Sequence, residues 1–316
     1  MLQNPPEVSF ARVDVLGVGI SAIDPDDALG EVTRWIDNGI QHYVCVTGVH
    51  GVMESQGDAD LLRIHNESGL TTPDGMPMVW AAHRAGAKNT QRVYGPDLML
   101  AVCERAAQRG WGCFLYGATD EVLDKLRSNL ADRFPDLLIV GTHSPPFRPL
   151  TPEEDDAVIR EINDSGAQIV WVGLSTPKQE RWMATHVQRL RAPVLVGVGA
   201  AFDFLSGVKR QAPRWMQRSG LEWLFRLMLE PRRLWRRYMI NNPWFLWLLL
   251  LTALGQKHYE LESPIRSNEP RRSRTETPHA SAGMPTSASI GWGTAPRWSR
   301  SQPRAESTCV ISSGEP

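Results

Sequence analysis

Cysteine is scarce in this chain, and its thiols follow no known cysteine motif. Only four occur in 316 residues, at positions 45, 103, 113 and 309, and no two form a Cys-x-x-Cys pair. The sequence therefore predicts no thiolate metal site. The first three cysteines lie in apolar runs, as reduced core thiols of a cytosolic protein do.

Several targeting and cofactor signals are missing as well. Residues 1–10 contain no basic segment followed by an apolar run, so we expect no signal peptide and a cytoplasmic protein. No Gly-x-Gly-x-x-Gly with a following acidic residue occurs, and no Gly-x-x-x-x-Gly-Lys-Ser/Thr. These absences disfavour a nicotinamide-dependent oxidoreductase and a P-loop nucleotide hydrolase. Asp58-Ala59-Asp60 matches a metal-binding Asp-x-Asp, but we predict it inside a helix, so we expect no metal.

Net charge is also nearly absent, at −1, which argues against a general nucleic-acid binder. The charge is uneven, however, because basic side chains crowd one C-terminal region. They are Lys209, Arg210, Arg214, Arg218, Arg226, Arg232, Arg233, Arg236 and Arg237. Any function of this positive charge is therefore expected in that region and not across the whole chain.

Short apolar runs alternate with amphipathic helical stretches through the first 212 residues. We predict a strand or hairpin within 8–23 and strands at 42–47, 111–116, 137–140, 168–174 and 193–198. Helices are predicted after Asp24-Pro25, at 52–66, 97–108 and 120–134, and after Pro152 and Pro177. This alternation predicts an α/β fold: a mostly parallel, Rossmann-like sheet with helices on both faces.

Four of the predicted strands end in small residues. Thr47-Gly48 follows the 42–47 strand, and Gly117, Gly173 and Gly199 end or follow three others. Ligands of open α/β sheets bind at such strand ends, where a following helix N-terminus favours phosphate. The alternative is that glycine only terminates the strands.

One carboxylate lies in a rigid loop, Thr72-Pro73-Asp74-Gly75. Pro73 fixes φ and Gly75 permits positive φ, so the segment is predicted to be neither helix nor strand. Pro-Asp-Gly alone is typical of an ordinary turn. Rigid loops also carry catalytic groups, and Asp74 is therefore a candidate.

The chain changes character after residue 212. Residues 213–258 interleave Trp, Leu and Phe with Arg at helical spacing, and the apolar run from Pro243 to Leu254 is too short to span a bilayer. We predict a helical appendage that lies on a membrane surface; the alternative is a helical hairpin packed on the domain. Residues 259–316 are rich in Pro, Ser, Thr, Arg and Gly and are predicted to be a disordered tail.

Colinear motifs across residues 10 to 245 resemble those of the WecG/TagA/CpsF bacterial glycosyltransferases, also called WecB/TagA/CpsF. They are Val46-Thr47, Thr72-Pro73-Asp74-Gly75, Arg92-Val93-Tyr94-Gly95-Pro96-Asp97-Leu98, Phe134-Pro135, Gly173-Leu174, Pro177-Lys178-Gln179-Glu180, Gly197-Val198-Gly199-Ala200-Ala201-Phe202-Asp203-Phe204, Gly207, Ala212-Pro213, Gly220-Leu221-Glu222-Trp223, Glu230-Pro231-Arg232-Arg233 and Arg237-Tyr238. The resemblance implies inverting transfer of an N-acetylmannosamine-type or related sugar from UDP to a polyprenyl-diphosphate-linked saccharide, in exopolysaccharide or cell-surface polysaccharide synthesis. It also implies a peripheral protein at the inner face of the plasma membrane.

The resemblance assigns roles to individual residues. Asp74 is the implied base and Thr47 is the second implied catalytic residue, which hydrogen-bonds the sugar or acceptor. Gln179 holds the donor or phosphate. Backbone amides around Gly117, Gly173 and Gly199 cradle the nucleotide, and Asp203 either binds ribose or uracil or caps a local turn. Arg226, Arg233 and either Arg236 or Arg237 are implied to bind diphosphate; solvated surface charge or contact with lipid headgroups is the alternative. The UDP-sugar is a substrate, so no cofactor is implied.

Three positions depart from the family pattern. Val49 replaces the usual Asn of Thr-x-Asn, so that contact is lost or moves to His50. Gln211 replaces the usual Arg before Ala-Pro, and Ser144-Pro145-Pro146-Phe147 replaces a Gly-Tyr-Phe. The first departure motivates a second hypothesis, a catalytically inactive membrane-associated scaffold of a polysaccharide assembly complex.

Overall fold

The predicted alternation of strands and helices folds into an α/β domain in the computed structural model, which describes residues 10–259 and 261. The strands are β1 Arg12–Val15, β2 Val18–Ser21, β3 His42–Thr47, β4 Leu70–Pro73, β5 Gly112–Gly117, β6 Leu138–His143, β7 Ile169–Gly173 and β8 Val194–Gly197. The helices are α1 Pro25–Asn38, α2 Val49–Ser55, α3 Ala59–Glu67, α4 Met76–Arg84, α5 Gly95–Arg109, α6 Asp120–Arg133, α7 Pro152–Asp164, α8 Lys178–His186, α9 Ala201–Leu205, α10 Arg214–Arg218, α11 Glu222–Leu229 and α12 Pro231–Ala253.

Six strands form one parallel sheet in the order β4-β3-β8-β7-β5-β6, and β1 pairs with β2 in a separate antiparallel hairpin. Successive side chains of a strand point to opposite faces. In β7, Trp171 accordingly joins the core under α1, α5 and α6, whereas Val170 and Val172 join the core under α7 and α8. The prediction of a parallel sheet covered on both faces is confirmed.

The local signals around the first helix act as predicted. Asp24 caps α1 in a reciprocal capping box with Asp27, Pro25 occupies the first turn, and Gly39 ends the helix in the left-handed conformation. The strand β3 covers the predicted residues 42–47. The sequence was sufficient to predict these bounds because a helix cap or a short apolar run depends only on neighbouring residues.

The predicted helix at 52–66 is wrong as a single element. It is two helices, α2 and α3, separated at residues 56–58. Asp58 accepts a hydrogen bond from the Leu61 amide and caps α3, so it begins a helix instead of lying inside one. The Asp58 carboxylate also pairs with Arg181.

The segment before Asp74 is a strand, contrary to the prediction of a loop. Thr71 and Thr72 of β4 are fully buried although polar. The Thr71 hydroxyl donates to the His65 carbonyl at 2.8 Å, which offsets the cost of its burial. Pro73 is tolerated because β4 is the last strand in the sheet order. The helix α4 after Asp74 also had no counterpart in the predictions.

The C-terminal region forms α10, α11 and the long helix α12, which runs continuously through Pro243. Phe245 and Leu248 of α12 are buried against the β1–β2 hairpin and α2. Other side chains of α12 are exposed, including Trp235, Trp244 and Trp247. One face of α12 therefore packs on the domain, as the alternative of a packed helical hairpin predicts, and its other face is exposed. Within the described residues, no helix is long and apolar enough to cross a membrane. The predicted tail, 259–316, lies outside the described residues except for positions 259 and 261.

Candidate active site

The carboxyl ends of the parallel strands open into a cavity of about 1770 Å³. Helices α10, α11 and α12 form the wall opposite the sheet. Most residues named from the sequence line this cavity: Thr47, His50, Asp74, Gly173, Gln179, Gly199, Asp203, Arg226, Arg233 and Arg237. Of the described residues so named, Gly117 and Arg236 lie outside the lining.

Asp74 is held in place by backbone contacts with β3. Its amide donates to the Thr47 carbonyl at 3.0 Å, and its own carbonyl lies where a Cβ on Gly48 would come within 2.6 Å. Only glycine at position 48 permits this approach. The Asp74 side chain is 31% exposed, into the cavity. The end of β3 therefore fixes where this carboxylate lies.

The electrostatics of Asp74 are those of a partly desolvated base. Burial raises the pKa of this carboxyl above its ordinary value, while Arg92 opposes the shift and Glu222 adds to it. The Arg92 guanidinium lies 3.5 Å from the Asp74 carboxylate. A carboxylate with a raised pKa is a stronger base than an ordinary one and still ionises because a cation is close.

Arg92 connects the Asp74 loop to the C-terminal helices, a connection that the sequence reasoning missed. Its guanidinium donates to the carboxylate of Glu222 in α11 and to the side-chain oxygen of Gln217 in α10, the latter at 3.4 Å. It also stacks on the Tyr94 ring, 4.1 Å from the centroid. Both Arg92 and Glu222 belong to motifs quoted above, but their 130-residue separation conceals the pairing.

Arg226, Arg233 and Arg237 bring positive charge into the cavity that Asp74 lines, and Arg233 also pairs with Glu230. Burial, together with the nearby charges of Arg226 and Arg233, lowers the pKa of Arg237 to about 10. Burial and the charges of Arg237 and Arg226 lower the pKa of His50 to about 3, so His50 is neutral near pH 7. Such a cluster favours binding of an anion.

Gln179 is oriented by the residue that follows it. The Glu180 carboxylate is buried and accepts from the Gln179 amide nitrogen at 3.1 Å and from the Thr176 hydroxyl at 2.8 Å. The Gln179 oxygen, in contrast, has no hydrogen-bond partner among the described residues. Gln179 therefore offers an acceptor to the cavity, which suits a hydroxyl or N–H group better than a phosphate.

Gly117 and Asp203 each make a contact within the protein. A Cβ on Gly117 would lie 2.7 Å from the Gly173 carbonyl, so this glycine permits close approach of the β5 and β7 ends. The Asp203 carboxylate pairs with Lys209 at 2.6 Å, and Lys209 also lies 3.3 Å from Glu230. Arg236 is exposed and its guanidinium lies 5.8 Å from the Trp235 ring centroid.

An aromatic wall bounds the part of the cavity near α7 and α8. Tyr116 and Trp182 stack at 4.3 Å between ring centroids, and the Trp182 indole nitrogen has no partner among the described residues. Phe147, from the segment that departs from the family pattern, is 91% exposed at the same cavity. These aromatic residues were not predicted as site residues, because each had the sequence signature of an ordinary core or loop position.

Comparison with known proteins identifies the family of this chain and several relatives. Residues 13–259 match the glycosyl transferase WecG/TagA/CpsF family. N-acetylglucosaminyldiphosphoundecaprenol N-acetyl-beta-D-mannosaminyltransferases of Staphylococcus aureus, from strains NCTC 8325 / PS 47 and COL, are each 25% identical over 228 residues. The alignments cover 72% of this chain and 88% of each relative.

Proposed function

The chain belongs to the WecG/TagA/CpsF family of glycosyltransferases, and on that premise we propose that it transfers an N-acetylmannosamine-type sugar from UDP to a polyprenyl-diphosphate-linked saccharide, with inversion. One observation carries the proposal. The Asp74 carboxylate, with its raised pKa, lines the same cavity as Arg226, Arg233 and Arg237. A base and an anion site on opposite walls are what this transfer requires.

In the proposed reaction, Asp74 accepts the proton of the acceptor hydroxyl. The hydroxyl oxygen attacks C1 of the donor sugar while the bond from C1 to the UDP oxygen breaks on the opposite face, which inverts the configuration. The electron pair of that bond leaves with UDP. The raised pKa favours proton uptake by Asp74, and Arg92 keeps it ionised until then.

The arginine cluster is proposed to bind diphosphate. Arg226, Arg233 and Arg237 present guanidinium forks, which match phosphate oxygens and stabilise the charge that develops on the departing UDP. Neutral His50 lies beside them and can donate one hydrogen bond without adding to their mutual repulsion. Thr47, whose hydroxyl has no partner among the described residues, would hydrogen-bond the sugar or acceptor near Asp74.

We propose a two-part organisation, with residues 1–212 as the catalytic core and 213–258 as an appendage that closes the site and contacts the membrane. The exposed side chains Trp235, Met239, Trp244 and Trp247 lie on the same helix as Arg232 and Arg236. Apolar and cationic side chains together favour an anionic lipid surface. This supports a peripheral location at the inner face of the plasma membrane, where a polyprenyl-linked acceptor would reside.

A donor screen tests the proposal directly. The purified full chain is incubated with UDP-N-acetylmannosamine, UDP-N-acetylglucosamine, UDP-glucose or UDP-linked uronic acids and a short-chain polyprenyl-diphosphate N-acetylglucosamine acceptor. We expect glycosylated acceptor and released UDP with at least one donor. If the protein binds vesicles but turns over none of them, the scaffold hypothesis, motivated by Val49, replaces the enzyme.

A further inference from the structure

The large cavity continues away from Asp74 into a groove between α4 and α12. One side is lined by Trp80 and Ala81 of α4 and by Ala85, which follows this helix, and the other side by Leu246, Leu249 and Ala253 of α12. Spacings of three and four residues on α12 place these side chains in one stripe along the helix. From Leu246 to Ala253 the stripe is roughly 10 Å long. We call this feature the α4/α12 groove.

The groove is open to solvent and rests on an anchored helix. Phe245 and Leu248 pack into the core beside the β1–β2 hairpin and fix α12. Leu246 and Trp80, at the two sides of the groove, are 64% and 52% exposed. Asp14 and Arg84 also line this region, so its apolar surface comes mainly from α12 and Trp80. Apolar side chains exposed along a groove favour an apolar ligand.

One helix connects the proposed diphosphate site with this groove. Arg233 and Arg237 occupy the N-terminal half of α12, and the apolar stripe occupies its C-terminal half. A ligand that is charged at one end and apolar beyond it would match this order. The cavity volume, about 1770 Å³, also exceeds the range of roughly 300–1,000 Å³ typical of a single small-ligand site.

We propose that the α4/α12 groove holds the first isoprene units of the acceptor's polyprenyl chain. This inference rests on the proposed function, because it requires a lipid-linked diphosphate acceptor. With the diphosphate at Arg233 and Arg237, the attached hydrocarbon lies along Leu246, Leu249 and Ala253, towards the C-terminal end of α12. Part of the lipid is thus bound by the protein instead of by the bilayer.

The test compares two acceptors that differ in their lipid alone, in detergent micelles so that membrane binding does not contribute. Both carry N-acetylglucosamine diphosphate, one as its farnesyl ester and the other as its methyl ester. For the wild-type protein we expect kcat/KM to be about tenfold or more higher for the farnesyl acceptor. Leu246→Glu should reduce that ratio to near one, since it places a charge in the groove.

A matched control lies one turn away on the same helix. Leu250 is also an exposed leucine, at 47%, but it lies outside the lining of the cavity. Leu250→Glu should leave the ratio within about twofold of wild type. If both variants changed the ratio equally, or if wild type showed no preference, the groove assignment would be overturned. Absence of transfer to either acceptor from every donor would instead overturn the proposed function.

A binding measurement keeps the inference testable apart from turnover. A farnesyl diphosphate analogue carrying a photoreactive diazirine on its chain is irradiated with the full-length protein, and the labelled peptides are identified by mass spectrometry. We expect labels in residues 76–85 and 242–253, reduced by unlabelled farnesyl diphosphate and by Leu246→Glu. Labels confined to other segments would overturn the assignment.

Discussion

The two walls of the cavity are built in different ways. One wall is formed by the ends of the sheet strands, and these strands are almost fully buried. In β8, for example, Val194, Leu195 and Val196 have no exposed surface. The opposite wall includes α11, which contains no buried residue, and α12, in which three of its 23 residues are buried. Asp74 therefore follows a strand of a tightly packed sheet, whereas Arg226, Arg233 and Arg237 lie on helices with few buried residues.

This difference suggests a division of labour between the walls. Chemistry at Asp74 needs a fixed carboxylate, which backbone contacts with Thr47 and Gly48 provide. Binding and release of a charged substrate need a wall that can move, and weakly packed helices open at low cost. The ion pair between Arg92 and Glu222 joins the two walls next to the base.

The largest expected effect comes from the fixed wall. Asp74→Asn should lower kcat about 10²- to 10⁴-fold because the Asn amide cannot accept the acceptor's proton. Folding raises the pKa of Asp74, so its ionised form destabilises the native state at neutral pH, and the variant should unfold at no lower temperature than wild type. Transfer assays and thermal unfolding measure the two effects.

The exposed carboxylate Asp60, changed to Asn, is the matched control. This variant should retain wild-type turnover, since the Asp60 side chain does not line the cavity. A well-folded Asp74→Asn protein with wild-type kcat would show that Asp74 is not the base.

The second effect separates two neighbouring arginines on the helical wall. Arg237→Ala should reduce kcat/KM about 10- to 100-fold through loss of charge-assisted hydrogen bonds to diphosphate. Arg236→Ala should stay within about twofold, because its side chain lies outside the cavity lining. Steady-state kinetics are measured with the UDP-sugar varied at fixed acceptor, and then with the acceptor varied at fixed UDP-sugar. The two series show for which substrate kcat/KM is reduced. Equal effects of both substitutions would show that Arg237 does not differ from Arg236 in its contribution to diphosphate binding.

The third prediction weakens the link between the walls. Glu222 raises the pKa of Asp74 and also engages Arg92. In Glu222→Gln that repulsion is lost and Arg92 is freed to pair with Asp74, so both changes lower the Asp74 pKa. The rate falls as pH drops through this pKa, and the acid limb of the pH profile of kcat/KM should therefore move to lower pH.

Glu230 supplies the control for this shift. It lies at the end of α11 and pairs with Lys209 and Arg233. Glu230→Gln should leave the acid limb where it is in wild type. An acid limb that failed to move in Glu222→Gln would exclude coupling between this carboxylate and the base.

The smallest effect on chemistry concerns the exposed face of the helical wall. Trp247→Glu should weaken binding to vesicles of phosphatidylglycerol and phosphatidylethanolamine about tenfold, because a charge replaces an interfacial aromatic ring. Leu138→Glu on β6, a residue equally exposed, should not weaken it. Vesicle co-sedimentation measures both. Equal binding of the two variants would argue against α12 as the membrane contact.

Sequence reasoning succeeded where a signal acts locally and failed where a partner is distant. The caps of α1 and the bounds of β3 needed only neighbouring residues. The strand β4 was missed because Thr71 is polar, and its burial depends on the His65 carbonyl and the Ser21 hydroxyl, the latter 50 residues away. The role of Arg92 was missed for the same reason, since Glu222 lies 130 residues away.

The sequence by itself determined the alternation of strands and helices, the family and the identity of the candidate base. Only the tertiary structure decided which side chains face the cavity. Arg236 and Arg237 are adjacent in sequence, yet Arg237 lines the site and Arg236 does not, because consecutive residues of a helix point roughly 100° apart. Which of the two directions is inward depends on how α12 packs through Phe245 and Leu248, and no local pattern specifies that contact.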